Sequence, residues 1–339
     1  MIDRFDDRAY SYNRSAAQYA NMAEFLNIIR ASQFEPLNFV TFSSAQSHNT
    51  LTGNLGLPSV TVGPGQAGPQ KDYVFGPNSA TQAVGSDVTI ANVDDPGSYA
   101  ALMTPINPAV IGFFIEQGYP RELLFFLFVD HVETSGLGGG TVSYAFNNPL
   151  DRDSYVRFGG ILAEMIEAGL TAQIDATAIP SADKIPAHKF CVDPALPRPQ
   201  FGGRVHFVAG PDCRAVPWRA AAQLKPHASY AFVNSTSRLN VRIFLRSTYA
   251  VYMYLGRILR SGRPIDNLVR SADSDDERLF TVTHDVDDCF VQTFYEGTSY
   301  CVPNSANNTK RVFSLLRQLV GIKITPANPA PVINARVVQ

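Results

Sequence analysis

The segment from Leu37 to Ser86 constrains the fold most, because its fifty residues contain only two charged side chains, Lys71 and Asp72. Short stretches such as FVTFS, VTVG and YVFG are typical of strands, and turn-forming Gly and Pro residues separate them. Strand edges without Lys or Glu lack the usual protection against pairing with another chain. The segment therefore predicts extended β structure that pairs either with the core of its own subunit, as a Gly-rich surface loop, or with a neighbouring subunit.

Helical periodicity lies on both sides of this segment. Apolar residues recur at three- and four-residue steps between Arg14 and Arg30, which predicts an amphipathic helix. After the charge-poor segment, a helical block contains the run LLFFLFV, whose apolar residues cover nearly the whole helix circumference. We expect that helix to be buried, and it is too short for a transmembrane helix, which needs about twenty apolar residues. The predicted helices of the block run from Thr104 or Asn107 to Gly118, from Pro120 to Glu133, and from Ser154 to Ala168.

The C-terminal part alternates between the two kinds of secondary structure without a regular β-α-β period. This irregular order favours the α+β class over a doubly wound parallel sheet. The predicted elements are the strand LNVRIFL, a helix capped by Ser247 or Thr248 and ended by Gly262, the strand ERLFTVTH, a hairpin turning at Glu296-Gly297, a helix from Ser305 to about Leu319, and the strand-like tail VINARVVQ.

These patterns divide the chain into five segments. They are an N-terminal helix at 1–36, a charge-poor extended β segment at 37–100, a helical block at 101–170, a Pro-rich connection with short strands at 171–237, and a C-terminal α/β lobe at 238–339.

The charge composition argues against nucleic acid as a partner. The net charge is −2, from 28 basic and 30 acidic residues, and no run of Lys and Arg forms a phosphate-binding stripe. The N-terminal stretch MIDRFDDRAYSYNRS lacks the basic and apolar regions of a signal peptide. We therefore expect either a cytosolic protein or an exported protein whose signal is not part of this sequence.

Motifs for cofactor, metal or catalytic chemistry are not found. The stretches GPGQAGP and GLGGG lack the residues that complete a phosphate-binding loop, and no nucleophile-elbow motif occurs. The histidines show no i, i+4 pair and the cysteines no C-x-x-C, so no zinc pattern is present. The acidic string from His284 to Asp288 is the densest cluster, and a solvated turn is the favoured interpretation. We predict no cofactor and no metal site.

The four cysteines allow disulfides in an oxidising compartment. Cys191 and Cys213 flank part of the Pro-rich connection, and we predict that they form a bond. Cys289 and Cys301 lie on the two arms of the predicted hairpin. A two-residue turn at Glu296-Gly297 places Cys301 opposite Gln292, so a Cys289–Cys301 bond needs a β-bulge.

Four stretches of the chain resemble a group of bacterial envelope proteins: FLNIIRASQFEPLNF, QGYPRELLFFLFVDHVE, RSTYAVYMYLGRILR and YCVPNSANNTKRVFSLLRQLV. Members of that group look like lipoproteins, with an export signal and an acylated N-terminal Cys. The resemblance implies a location in the periplasm or at the outer membrane, with a cytoplasmic location as the alternative, and it carries no activity. This chain starts at Met1 without such a Cys.

Two functions compete at this point. The favoured hypothesis is a non-enzymatic structural or assembly protein of the envelope, acting as a homo-oligomer or in a larger envelope assembly, with possible outer-membrane association. The alternative is a hydrolase-like enzyme with a pocket between the helical block and the C-terminal lobe. The carboxylates that support this alternative are Asp130, Glu133, Glu164 and Asp285.

Overall fold

The computed structural model belongs to the α+β class, with α-helices and small antiparallel sheets. It describes residues 5–51, 82–92, 96–136, 141–174, 188–193, 207–209, 229–230, 233–234, 239–262, 278–284, 288–323 and 332–338. The helices are α1 (Phe5–Gln33), α2 (Pro96–Met103), α3 (Pro108–Glu116), α4 (Arg121–Phe128), α5 (Arg152–Glu167), α6 (Thr248–Ser261) and α7 (Asn307–Lys323).

The strands are mostly short. They are β1 (Val40–Leu51), β2 (Gln82–Asn92), β3 (Val129–Gly136), β4 (Ser143–Phe146), β5 (Leu170–Ile174), β6 (His188–Val192), β7 (Phe207–Ala209), β8 (Ser229–Tyr230), β9 (Val233–Asn234), β10 (Leu239–Leu245), β11 (Cys289–Tyr295), β12 (Thr298–Pro303) and β13 (Val332–Val338). The described sheets have the strand orders β1-β2-β13, β4-β3-β10-β8, β11-β12, β5-β6 and β7-β9.

The chain forms two compact units. The larger contains Met1–Phe39 and Val93–Thr325, and the smaller contains Val40–Asn92 and Pro326–Gln339. The smaller unit therefore brings most of the charge-poor segment together with the C-terminal tail, which the sequence pattern placed in a separate lobe.

The core of the larger unit is built around α4. All eight residues of this helix are buried, as the apolar run predicts, and Leu123 to Val129 are fully inaccessible to solvent. Phe114, Phe158 and Phe190 pack their rings near those of α4, and Phe25 of α1 packs edge-on against Phe313 of α7. Helices from both ends of the chain thus share one hydrophobic core.

Several predicted helix ends are confirmed by their caps. The side chain of Asn107 accepts a hydrogen bond from the Ala109 amide at the start of α3, and Ser247 does the same for Ala250 in α6. Gly262 ends α6 in the left-handed conformation that glycine adopts without strain. The α5 helix begins at Arg152, two residues before the predicted start, and the side chain of Asp151 caps it by accepting a hydrogen bond from the Ser154 amide.

The structure corrects other boundaries. The predicted strand ERLFTVTH is not a strand in its described residues, where only Thr283 forms an isolated bridge, to Cys301. The helix α1 begins at Phe5 and ends at Gln33, beyond the predicted range at both ends, and α7 extends to Lys323 past the predicted end near Leu319. The tail VINARVVQ does contain a strand, β13. VTVG and YVFG lie outside the described residues.

Candidate functional site

The largest correction concerns the sequence VDHVE, which continues α4 as the strand β3 rather than as a helix. A helix leaves its last four carbonyls without intrahelical partners. Here Arg246, directly after β10, supplies several of the missing donors. Its Nη1 donates to the carbonyls of Leu127 and Val129 at 2.9 and 2.7 Å, and its backbone N–H donates to Phe128.

Asn147, at the end of β4, completes this arrangement. Its Nδ2 donates to the carbonyls of Phe126 and Val129 at 2.8 and 2.9 Å, and its own carbonyl accepts from Arg246 Nη2 at 2.7 Å. All four carbonyls from Phe126 to Val129 therefore have donors, which explains why the helix ends there. We call Arg246 and Asn147 with these carbonyls the helix-end cluster.

The charge of Arg246 is held deep in the protein, with 2 % of the residue exposed. Burial lowers the pKa of its guanidinium, while Tyr254 and Asp130 oppose that effect. The guanidinium carbon lies 3.8 Å from the centre of the Tyr254 ring, and Nε lies 3.5 Å from Asp130 Oδ1. Both contacts are favourable for a cation in a low-dielectric setting. Arg246 is thus a structural cation whose terminal nitrogens bind backbone carbonyls.

Asp130 joins the helix-end cluster to His131. Burial alone raises the pKa of the Asp130 carboxyl, but the hydrogen bond from His131 and the charges of Arg246 and Arg257 outweigh it, so the pKa lies below its usual range. His131 Nδ1 donates to Asp130 Oδ2 at 2.9 Å. An ionised carboxylate beside an imidazole is a combination that also occurs in acid–base catalysis.

The environment of His131 favours packing over catalysis. Its ring stacks on Phe244 with centroids 4.3 Å apart, and Phe146 lies on a neighbouring strand with a centroid distance of 5.1 Å. The strand register places these three residues in one row across β4, β3 and β10. Two positions along, Glu133 pairs with Arg242 at 3.2 Å. The sheet therefore presents an aromatic row beside an ion pair.

The carboxylates proposed for a hydrolase are not assembled into one described site. Asp130 contacts His131 and Arg246, whereas Glu133 contacts Arg242. Glu164 lies on α5, and Asp285 lies outside the described residues. Among the described residues there is no group of three His, Cys, Asp or Glu side chains that could hold a metal ion.

A pocket of about 240 Å³ lies within the C-terminal part of the larger unit. Its polar lining includes His284, Thr281 and Arg278, and Ile258 and Phe280 contribute apolar surface. His284 donates from Nδ1 to the carbonyl of Ser299 at 2.9 Å. The lining takes no residue from the helical block at 101–170, so this pocket is not the inter-lobe pocket that the hydrolase hypothesis expects.

A partly buried acidic group with a raised pKa lies between two helices. Glu24 on α1 accepts a hydrogen bond from the hydroxyl of Tyr252 on α6, which is fully buried. Burial raises the pKa of Glu24 to about 7, although the Tyr252 hydrogen bond and the charge of Arg317 oppose that rise. Sequence analysis missed this group, because Glu24 lies on a predicted amphipathic helix with nothing to mark its burial.

The hairpin disulfide is formed. Cys289 and Cys301 are bonded across β11 and β12, with Cα atoms 5.6 Å apart. Cys301 faces Gln292 in the register, as predicted, and a β-bulge between Cys289 and Val291 brings Cys289 to the correct side. Glu296 and Gly297 form the turn, both with positive φ.

Of the other predicted pair, Cys191 and Cys213, only Cys191 lies among the described residues. Cys191 is fully buried and is disulfide-bonded, whereas Cys213 lies outside the described residues. The Cys191–Cys213 pairing therefore stays a prediction.

The sheet of the smaller unit is the remaining candidate site. β2 lies in the middle and pairs antiparallel with β1 on one side and with β13 on the other. Its strands have 12, 11 and 7 residues in the order β1, β2, β13. The register places Asp87 of β2 opposite Arg336 of β13, and these two residues carry all the charge of the three strands. Among the described residues, the outer edges of β1 and β13 pair with no further strand.

Comparisons with known proteins add no relative. No family model, curated protein or solved structure matches the chain significantly. None of the described helices is both long and apolar enough to cross a membrane.

Proposed function

We propose that this chain is a non-enzymatic structural or assembly protein of the bacterial envelope that acts through contacts between its subunits. The observation that carries the proposal is the three-stranded sheet of the smaller unit, whose outer strand β1 contains twelve residues and no charge. Natural proteins protect a long edge strand with Lys, Pro or a cover, because its free N–H and C=O groups bind other strands. Among the described strands none pairs with the outer edge of β1, and an uncharged edge of this length is suited to strand addition.

The chemistry of the larger unit agrees with a structural role. Arg246, the most deeply buried charged group, uses its terminal nitrogens on backbone carbonyls, and His131 is stacked between aromatic rings. These groups hold the junction between α4 and β3 rather than lining the described pocket. These contacts explain why Arg246 is buried and His131 half-buried, and no catalytic role is needed for that explanation.

The disulfide supports an envelope location. Disulfides persist in the periplasm and at cell surfaces, whereas cytosolic thiols are kept reduced. The Cys289–Cys301 bond thus favours the periplasm or the outer-membrane surface over the cytoplasm. The resemblance to lipoprotein-like envelope proteins points to the same compartments. Outer-membrane association and a larger envelope assembly are parts of this proposal.

A charge placed on the edge strand tests the proposal. Gln46→Lys introduces one cation in β1, opposite Asp87, so an opposite charge faces it within the subunit and intramolecular pairing is retained. The same Lys protects the outer edge against another strand. We expect the variant to dissociate at protein concentrations at which the unmodified protein stays assembled, as measured by sedimentation velocity.

The matched control is Val156→Lys on α5, where the side chain is 64 % exposed and far in sequence from the sheet. It adds the same charge and is expected to keep the native mass of the unmodified protein. Equal assembly of the Gln46→Lys and Val156→Lys variants would count against the sheet edge as the contact surface.

A further inference from the structure

The direction of the strands in the smaller unit limits how two copies can join. β1 and β13 each run antiparallel to β2, so they run in the same direction as each other. A contact between β1 of one subunit and β13 of the next, in subunits related by rotation about an axis along the strands, is therefore parallel. Contacts of β1 with a second β1 across a two-fold axis are antiparallel.

We infer that the partner of this sheet is a second copy of the chain, joined head to tail, with the outer edge of β1 pairing in parallel with the outer edge of β13. This inference rests on the proposed function and specifies how the subunits join. Head-to-tail contacts use both edges of every subunit, and a closed ring of subunits pairs all seven residues of β13 with part of the twelve-residue edge of β1.

Two-fold contacts leave more of the strand edges without hydrogen-bond partners. A dimer joined through β1 leaves the edge of β13 unpaired, and a dimer joined through β13 leaves the twelve residues of β1 unpaired. Neither edge strand contains Lys or Glu, and the Arg336 of β13 is opposite Asp87 inside the subunit. The edge of β1 has no charge, and such an edge is a site of aggregation when it stays open. Head-to-tail pairing engages both edge strands at once.

Cysteine cross-linking distinguishes the two geometries. Ala45 and Ala335 both lie opposite Val88 of β2, so they are at the same height on the two outer strands and belong to the same face of the sheet. Ala45→Cys and Ala335→Cys are expressed separately, and also together with two different affinity tags, and each full-length protein is treated with a short bismaleimide. No described native cysteine is free to react, and the unmodified protein gives the background.

We expect each single variant to stay at the background level and the co-expressed pair to form a cross-linked heterodimer as the main product. A homodimer from Ala45→Cys alone or from Ala335→Cys alone, in a protein that is still oligomeric, overturns the head-to-tail geometry and leaves the proposed function standing. An oligomer without any cross-link also overturns it. A protein that is monomeric before treatment overturns both.

Discussion

Single residues decide where elements begin and end in this fold, and Arg246 is the clearest case. The sequence predicts the buried run of α4 but not its end, because the donors of Arg246 that bind the last carbonyls come from more than one hundred positions later. Nothing in the string LNVRIFLRST marks this Arg as buried. Its role depends on tertiary contacts that local pattern does not contain.

Replacing Arg246 by Ala removes the donors for the carbonyls of Leu127 and Asn147, whereas the Val129 carbonyl keeps Asn147 Nδ2 as its donor. Each buried carbonyl left without a partner costs about 1–3 kcal/mol, so we expect a loss of about 2 kcal/mol or more in the free energy of unfolding, measured by urea denaturation. Arg157→Ala, at an exposed position of α5, is the control and is expected to change stability by less than about 0.5 kcal/mol. Similar stability of the two variants would remove Arg246 from its structural role.

Glu24 makes stability depend on pH. Its pKa is about 7 in the folded protein and near 4.5 in the unfolded chain, so the folded state holds the proton more tightly. The contribution of Glu24 to the free energy of unfolding is fully present below about pH 4.5, and about 3 kcal/mol of it is lost as the pH rises to 7. We expect Glu24→Gln to match the unmodified protein at pH 4.5 and to exceed it in stability at pH 8.

The control for this change is Glu116→Gln at the exposed end of α3, which is expected to keep the pH dependence of the unmodified protein. Thermal unfolding at pH 4.5, 6 and 8 measures all three proteins. A Glu24→Gln variant with the same pH profile as the unmodified protein would show that burial does not raise this pKa.

Elements with strong local signals were predicted well. The β11–β12 hairpin follows from its alternating pattern and its Glu296-Gly297 turn, and the need for a bulge follows from counting residues to the cysteines. The pairing of β13 with β2 was not predicted, because an isolated strand pattern does not name its partner. Alternation along a strand defines faces, whereas long-range packing selects the neighbouring strand.

The contact between α1 and α6 depends on a glycine. A Cβ at Gly256 would lie 2.6 Å from the backbone carbonyl carbon of Ala31 and from the amide nitrogen of Ser32. Backbone atoms cannot turn aside as a side chain does, so Gly256→Ala forces the helices apart. We expect a loss of about 2 kcal/mol or more in the free energy of unfolding.

Gly160→Ala in α5 is the matched control, since a Cβ there meets no atom within 4 Å. Alanine favours the helix over glycine by about 1 kcal/mol, so this variant is expected to be slightly more stable than the unmodified protein. Chemical denaturation of the two variants side by side measures the difference. Equal effects of the two substitutions would mean that α1 and α6 do not approach as described.

At the scale of the whole molecule, the charge-poor segment and the C-terminal tail form a unit of their own. The sequence predicts extended β structure in the first of these, and it leaves open whether the strands pair with the subunit's own core or with a neighbour. In the structure the described strands pair with each other, and two outer edges remain. The proposed function assigns those edges to other copies of the chain.

The native mass of the unmodified full-length protein tests this assignment most directly. Light scattering on a size-exclusion column, over a range of protein concentrations, gives the mass independently of shape. Edge pairing predicts a mass of two or more times that of the 37.0 kDa chain. A mass of 37.0 kDa at every concentration would contradict it and leave the sheet as an intramolecular feature.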